Sequence, residues 1–137
     1  MKLSVFIPCC VDQFSPKTAS NLIGLLESLG HEVHYNESQT CCGRLLYDNG
    51  NWDSAKLLGE KFIDEFKGSE YIVSCSTECV GYIKNIFGKL FFNTTNHNSY
   101  KSIRDRVMDI SEFLVSFMRK TDFGVEFPHK VSLHSNC

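Results

Sequence analysis

The residues of this sequence with the most specific chemistry are its seven cysteines. They are Cys9, Cys10, Cys41, Cys42, Cys75, Cys79 and Cys137. An odd number of thiols cannot all pair in disulfides within one chain. We find no signal peptide and no apolar run of the roughly 20 residues that a transmembrane helix needs, which favours a reducing, cytoplasmic location. Thiolates in such a compartment typically bind zinc, copper(I) or an iron–sulfur cluster.

The spacing of the cysteines favours a cluster of several metal atoms over a single zinc ion. Structural zinc is usually held by C-x₂₋₄-C pairs, and only Cys75 and Cys79 form such a pair. Cys41 and Cys42 are adjacent, so both would have to reach one ion across a single peptide link. A larger cluster accepts neighbouring thiolates more readily. Gly43 follows them, and its access to positive φ would either let the backbone approach a bulky anionic group or serve an ordinary turn.

Not every cysteine or histidine is expected to be a ligand. Cysteine can pack as a small apolar side chain, and this alternative is strongest for Cys10. Among the histidines, only His134 stands close to a cysteine, Cys137, in a segment that follows a predicted strand. We find no nucleotide-binding or nucleophile motif and no distinctive carboxylate pair, so we predict no catalytic centre of organic side chains. A net charge of −2 without a basic block argues against a nucleic-acid partner.

Apolar patterning divides the chain into alternating strands and helices. Short β-forming runs predict strands at residues 3–8, 31–35, 71–74 and 130–133. Helical spacing of apolar residues predicts helices at residues 16–29, 51–66, 79–90 and 103–117, with a loop at 93–102. The cysteines lie in the segments that follow the strands.

This alternation predicts an α/β fold, a small Rossmann-like three-layer domain with a mostly parallel sheet of about four strands. Because parallel strands end at the same edge of the sheet, the segments that follow them should meet there, where such sheets usually bind ligands. We therefore expect the cysteines to converge. Cys79 is predicted at the start of a helix, where unpaired backbone N–H groups stabilise a thiolate.

The order of the cysteine motifs resembles that of the cysteine-rich CCG-domain family. Cys41-Cys42-Gly43 carries the resemblance together with Cys9 upstream and Cys79 downstream. Further similar stretches are CCVDQFSP at residues 9–16, QTCCG at 39–43, ISEFL at 110–114 and the segment 127–137. The resemblance therefore extends over the whole chain.

The resemblance implies an iron–sulfur protein that transfers electrons and is not itself catalytic. The cofactor would be a [4Fe–4S] cluster, which is non-cubane in part of the family. Cys9, Cys41, Cys42 and Cys79 match the family's ligand positions, and Cys75 is a fifth candidate. The spacing of Cys75 to Cys79 departs from the family's C-x₂-C, so Cys79 is the stronger candidate of the two. The expected partners are other subunits of a complex that oxidises lactate or another 2-hydroxy acid.

The resemblance also concerns domain organisation. Family members carry two such modules, so residues 1–137 would be one CCG domain in which residues from about 130 to 137 begin a second module. A sheet that ends at the predicted strand 130–133 would expose an edge able to pair with a second copy of the chain, giving a homodimer.

Two other functions remain open on the residues alone. The chain could be a zinc-stabilised or metal-free α/β module for assembly with other subunits. It could also be a thiol–disulfide redox protein that uses a Cys41–Cys42 or Cys75–Cys79 pair, since such strained disulfides are easily reduced.

Overall fold

Strands and helices alternate along most of the chain. The computed structural model, which describes residues 1–134, contains the strands β1 (Lys2–Phe6), β2 (Glu32–Tyr35), β3 (Tyr71–Ser74) and β4 (Val107–Asp109). Its α-helices are α1 (Cys9–Phe14), α2 (Pro16–Ser28), α3 (Arg44–Asp48), α4 (Trp52–Phe66), α5 (Thr77–Leu90) and α6 (His97–Arg104), and a π-helix spans Glu112–Phe117. Within the described range, none of these helices combines the length and apolar character needed to cross a membrane.

The four strands form one parallel sheet in the order β2-β1-β3-β4. Leu3 of β1 pairs with Val33 of β2 and with Tyr71 of β3, and Ser74 of β3 pairs with Asp109 of β4. The chain leaves β1 in one direction to form β2 and then crosses back to form β3. The boundary between β1 and β3 is therefore the topological switch point, where a crevice opens at the carboxyl ends of the strands.

Helices cover both faces of the sheet, which confirms the predicted three-layer α/β fold. Phe6 and Val107 belong to an apolar cluster with side chains of α4, α5 and α6. Val5 and Met108, their neighbours in sequence, belong to a second cluster with side chains of α2 and the π-helix. Neighbouring strand residues enter different clusters because side chains alternate between the two faces of a sheet.

Aromatic rings dominate the first of these clusters. The ring of Phe62 lies 5.1 Å from that of Phe6 and 5.9 Å from that of Phe87, both edge to face. Phe87 in turn lies 5.5 Å from Phe91 and 5.4 Å from Tyr82. These contacts join α4 and α5 to the sheet beside the segments that carry the cysteines.

The predicted loop at 93–102 and helix at 103–117 are both wrong. Helix α6 occupies much of the predicted loop, while β4 and the π-helix replace most of the predicted helix. The apolar residues do not form one stripe, because Ile103 and Val107 are buried in the first cluster and Met108 in the second. Apolar residues that face both sides of a sheet indicate a strand rather than a helix with one buried face.

The predicted strand at 130–133 is also wrong. This segment has no regular structure, and its apolar residues Val131 and Leu133 are 78% and 93% exposed. The position of the fourth strand is taken by β4, which pairs with β3 and forms the sheet edge there. Residues 135–137, including the candidate residue Cys137, lie outside the described part of the chain.

The aromatic packing predicts a large effect of truncating Phe87. The Phe87 side chain is fully buried, so Phe87→Ala should lower the free energy of unfolding by about 3–5 kcal/mol. Phe92→Ala is the matched control, because Phe92 is 68% exposed and its loss should change stability by less than about 0.5 kcal/mol. Urea unfolding of both variants measures the difference, and equal losses would contradict the packing described here.

Candidate functional site

Four cysteines from three segments of the chain form two sulfur–sulfur contacts beside the switch point. The Sγ atom of Cys9, at the start of α1, lies 3.4 Å from Sγ of Cys41. The Sγ atom of Cys42 lies 3.4 Å from Sγ of Cys79, in the first turn of α5. Cys41 and Cys42 belong to the segment between β2 and α3. The convergence that the sheet topology predicts is therefore present as two pairs of thiols.

The two contacts define an outer pair, Cys9 and Cys41, and an inner pair, Cys42 and Cys79. Both members of the outer pair are half-buried, and a surface cavity of about 300 Å³ lies beside them. Both members of the inner pair are buried. Because Cys41 and Cys42 are adjacent, one peptide link joins an accessible half of the site to an enclosed half.

Gln39 holds the segment that carries Cys41 and Cys42 against the sheet. Its side-chain oxygen accepts a hydrogen bond from the backbone N–H of Ile7 at 2.7 Å, just after β1. Its amide nitrogen donates to the backbone oxygens of Asn36, at 2.9 Å, and Val5, at 3.3 Å. Sequence reasoning assigned no role to Gln39, although a polar residue between a strand and a cysteine pair was an available signal.

Gly43 closes the same segment in a left-handed conformation with φ of 89°. A Cβ atom at this position would lie 3.2 Å from the carbonyl oxygen of Ala55 and 3.3 Å from Cβ of Leu58, both in α4. The Gly43 N–H points back to Sγ of Cys41 at 3.4 Å. The positive φ thus serves a turn packed against α4, and an approach of Gly43 to a bound group remains a prediction.

The inner pair shares a proton unequally. The hydrogen bond from Cys42 is the main reason that the pKa of Cys79 falls to about 7, and the Ser76 hydroxyl also lowers it. The pKa of Cys42 is raised by the same hydrogen bond and by burial. Ser76 also caps α5 by accepting from the Cys79 N–H at 3.3 Å. Cys79 is therefore the thiolate of the pair, as expected at a helix start, and Cys42 keeps the proton.

Charged and buried surroundings affect the other sulfurs of the site. Arg44 forms an ion pair with Glu78 near the inner pair, and its positive charge further favours the Cys79 thiolate. In the outer pair, burial is the main cause that raises the pKa of Cys9 to about 11, with the contact to Cys41 adding to it. Cys9 therefore retains its proton at neutral pH, and it would have to lose that proton to act as a metal ligand.

Cys75 and Cys10 stand apart from the two pairs. Cys75 directly follows β3, packs against the second apolar cluster and has a pKa raised by burial. Its role as a ligand stays a prediction. Cys10 lies in α1 and is exposed, so the alternative that it packs as a buried apolar side chain is wrong.

The arrangement of the cysteine thiols indicates which kind of metal group they could bind. Across residues 1–134, no three His, Cys, Asp or Glu side chains are grouped closely enough to hold one metal ion. The thiols instead form two pairs joined through adjacent residues. All six cysteines of residues 1–134 are free thiols. Such a soft, all-sulfur set fits a sulfide-containing iron cluster, whose several metal atoms take thiolates individually.

The fold and the site define a doubly wound α/β domain with a thiol-rich site at its switch point. Residues 3–84 match the family model described as "Cysteine-rich domain" (CCG). The chain therefore belongs to the cysteine-rich CCG-domain family, as the motifs predict.

Two relatives illustrate the similarity. Lactate utilization protein A 2 of Bacillus cereus (strain AH820) is 30% identical over 138 residues, which cover 100% of this chain and 57% of the relative. Lactate utilization protein A 1 of Bacillus mycoides (strain KBAB4) is 32% identical over 139 residues, covering 100% of this chain and 56% of the relative. The chain thus spans just over half the length of these relatives. No solved structure gives a significant match.

The packing of Gly43 predicts that its replacement is costly. Gly43→Ala should lower the free energy of unfolding by about 1–3 kcal/mol, because an L residue is strained at this φ and the new methyl group meets α4. Gly81→Ala in α5 is the control, since a Cβ there meets nothing within 4 Å and should raise stability by up to about 1 kcal/mol. Urea unfolding distinguishes them, and a Gly43→Ala protein as stable as the wild type would refute the packing argument.

The inner pair predicts an early thiol ionisation in the metal-free, reduced protein. With a lowered pKa, Cys79 should be a thiol below and a thiolate above pH about 7, whereas an ordinary cysteine ionises near 9.0. Ultraviolet absorbance of the thiolate should therefore rise by one group per chain in this lower range. Cys79→Ser should remove that step and Cys10→Ser should keep it. If the Cys79→Ser variant retained the step, the assignment to the inner pair would be wrong.

Proposed function

We propose that this chain is the iron–sulfur electron-transfer module of a system that oxidises lactate or a related 2-hydroxy acid. In this proposal Cys9, Cys41, Cys42 and Cys79 hold a [4Fe–4S] cluster, of cubane or non-cubane type, and Cys75 is the fifth candidate ligand. The chain would carry electrons without catalysing the oxidation itself.

The observation that carries the proposal is that four free thiols from three segments form two contacting pairs, joined by one peptide link, at the carboxyl edge of the sheet. Thiols 32 and 37 residues apart in sequence are brought into sulfur contact. Exposed, isolated cysteines would need no such arrangement. A shared metal–sulfur group explains why the fold brings them together.

The protein's own residues would hold and tune such a group. Ser76 and the start of α5 stabilise the Cys79 thiolate, and the charge of Arg44 acts in the same direction. Gln39 and Gly43 position the segment that carries two of the thiols. When bound, an iron–sulfur cluster accepts and releases single electrons at a potential set by its ligands, hydrogen bonds and burial.

The partners in this proposal are other subunits of the oxidising complex. The names of the relatives support a role in lactate utilization. Because the chain covers only 57% of one such relative, we propose further that residues from about 130 to 137 begin a second module. The high exposure of the apolar residues Val125, Phe127, Val131 and Leu133, which is 71–93%, supports this. The free thiols support a reducing, cytoplasmic location.

A thiol–disulfide redox function is the second candidate, and the sulfur contacts favour it specifically. Both contacts are 3.4 Å long, so small movements would bring either pair to bonding distance. These pairs are Cys9–Cys41 and Cys42–Cys79, which differ from the pairs expected from sequence spacing. Oxidation of each pair would form one disulfide bond, pass two electrons to an external oxidant and release the thiol protons to water. The inner pair would release two protons below pH about 7 and one proton once Cys79 is ionised.

Anaerobic reconstitution with iron and sulfide separates the candidates. The wild type should turn brown and contain iron and acid-labile sulfide in about equal amounts. Cys9→Ser and Cys42→Ser should each lose most of the bound iron. Cys10→Ser is the matched control, because Cys10 neighbours Cys9 in sequence but is exposed, and it should bind iron as the wild type does.

Other outcomes would contradict the proposal in distinct ways. A colourless wild type that binds no iron would exclude the cluster, and loss of thiols in pairs on mild oxidation would then support the redox function. About one zinc per chain without sulfide would support the assembly module. Equal iron binding by Cys9→Ser and Cys10→Ser would refute the ligand assignment.

A further inference from the structure

The hydroxyl group of Tyr82 is buried without a hydrogen-bond partner. The side chain is 5% exposed, and within residues 1–134 no atom lies in hydrogen-bonding position to its Oη atom. Leaving a buried hydroxyl unpaired costs folding free energy, and such groups are therefore rare in native proteins. An unpaired hydroxyl in this position calls for an explanation.

Tyr82 lies beside the inner cysteine pair. It follows Cys79 by three residues on α5, so both side chains share one face of the helix. Tyr82, Cys79 and Cys42 belong to the same buried cluster, and the ring of Tyr47 lies 5.8 Å away. Burial raises the pKa of Tyr82, and among the ionisable groups Cys42 adds most to this effect. The hydroxyl is thus a neutral donor next to the site.

Tyr100 provides a comparison within the same cluster. It is 3% exposed, and its hydroxyl donates to the backbone oxygen of Lys84 at 2.8 Å. A buried tyrosine hydroxyl in this cluster is therefore hydrogen-bonded when a backbone oxygen lies within reach. Tyr82 shares its cluster with Cys42, whose Sγ donates to Sγ of Cys79.

We infer that the Tyr82 hydroxyl is a hydrogen-bond donor to a sulfur atom of the metal–sulfur group held by the cysteines. This inference rests on the proposed function. A thiol must lose its proton to bind a metal, so binding converts Cys42 from a donor into an acceptor. Thiolate and sulfide sulfurs in a cluster accept hydrogen bonds, and these bonds raise the reduction potential. Tyr82 is in this sense a tuning residue and not a ligand.

The test compares Tyr82→Phe with Tyr100→Phe in the reconstituted full chain. Both substitutions remove one buried hydroxyl from the same cluster. Tyr82→Phe should bind as much iron as the wild type but have a more negative midpoint potential. It should also lose an exchangeable proton coupled to the cluster, seen by electron–nuclear double resonance in H₂O against D₂O. Tyr100→Phe should keep the wild-type potential and the coupled proton.

The stability of the metal-free proteins gives a second readout. Here Tyr100→Phe, and not Tyr82→Phe, is the variant that should be impaired. Tyr82→Phe should be at least as stable to urea as the wild type, because it removes an unpaired polar group. Tyr100→Phe should be less stable, because it removes the buried hydrogen bond from Tyr100 to the backbone oxygen of Lys84. A metal-free Tyr82→Phe protein as destabilised as Tyr100→Phe would show that the hydroxyl already has a partner and would overturn the inference.

The outcomes for the loaded protein separate this inference from the proposed function. An iron-loaded Tyr82→Phe protein with the wild-type potential and the coupled proton would overturn the inference alone. A wild-type chain that takes up no iron would overturn the proposed function and the inference with it.

Discussion

The direction shared by all four strands is the constraint on which the site depends. In a parallel sheet every strand ends at the same edge, so residues far apart in sequence become neighbours without any local motif. Cys9 follows β1, Cys41 and Cys42 follow β2, and Cys79 follows β3. An antiparallel pairing of any of these strands would carry its cysteine to the opposite edge.

Topology alone brings the cysteines to one edge, but side-chain packing sets the contacts. Gln39 connects the segment after β2 to Val5 of β1 and to Ile7 just after it through two hydrogen bonds, and Gly43 lets the same segment lie directly on α4. The aromatic cluster in turn joins α4 and α5 to the sheet, so the core that stabilises the fold also positions Cys79. Stability and site geometry therefore depend on the same contacts.

The sequence predicts some parts of this structure well because the signals are local. Strands β1 to β3, helices α2, α4 and α5, and the edge at which the cysteines meet all follow from apolar patterning. Residues 93–117 escape prediction because their apolar side chains pack on both faces of the sheet, which a helical spacing count cannot detect. The pairing of Cys9 with Cys41 also escapes, because it depends on long-range contacts of Gln39 that no spacing rule encodes.

The protonation of the four thiols links the site to pH. Cys79 is ionised above pH about 7, whereas Cys9 and Cys42 have raised pKa values and keep their protons in the metal-free protein. Since metal ligation requires thiolates, the proposed metal loading would release at least the protons of Cys9 and Cys42, and higher pH would favour it. The hydrogen bond from Cys42 that stabilises the Cys79 thiolate is lost in the same step. In the proposed function the metal–sulfur bonds would therefore replace an interaction that the metal-free protein already has, and the inferred hydrogen bond from Tyr82 would offset part of that loss.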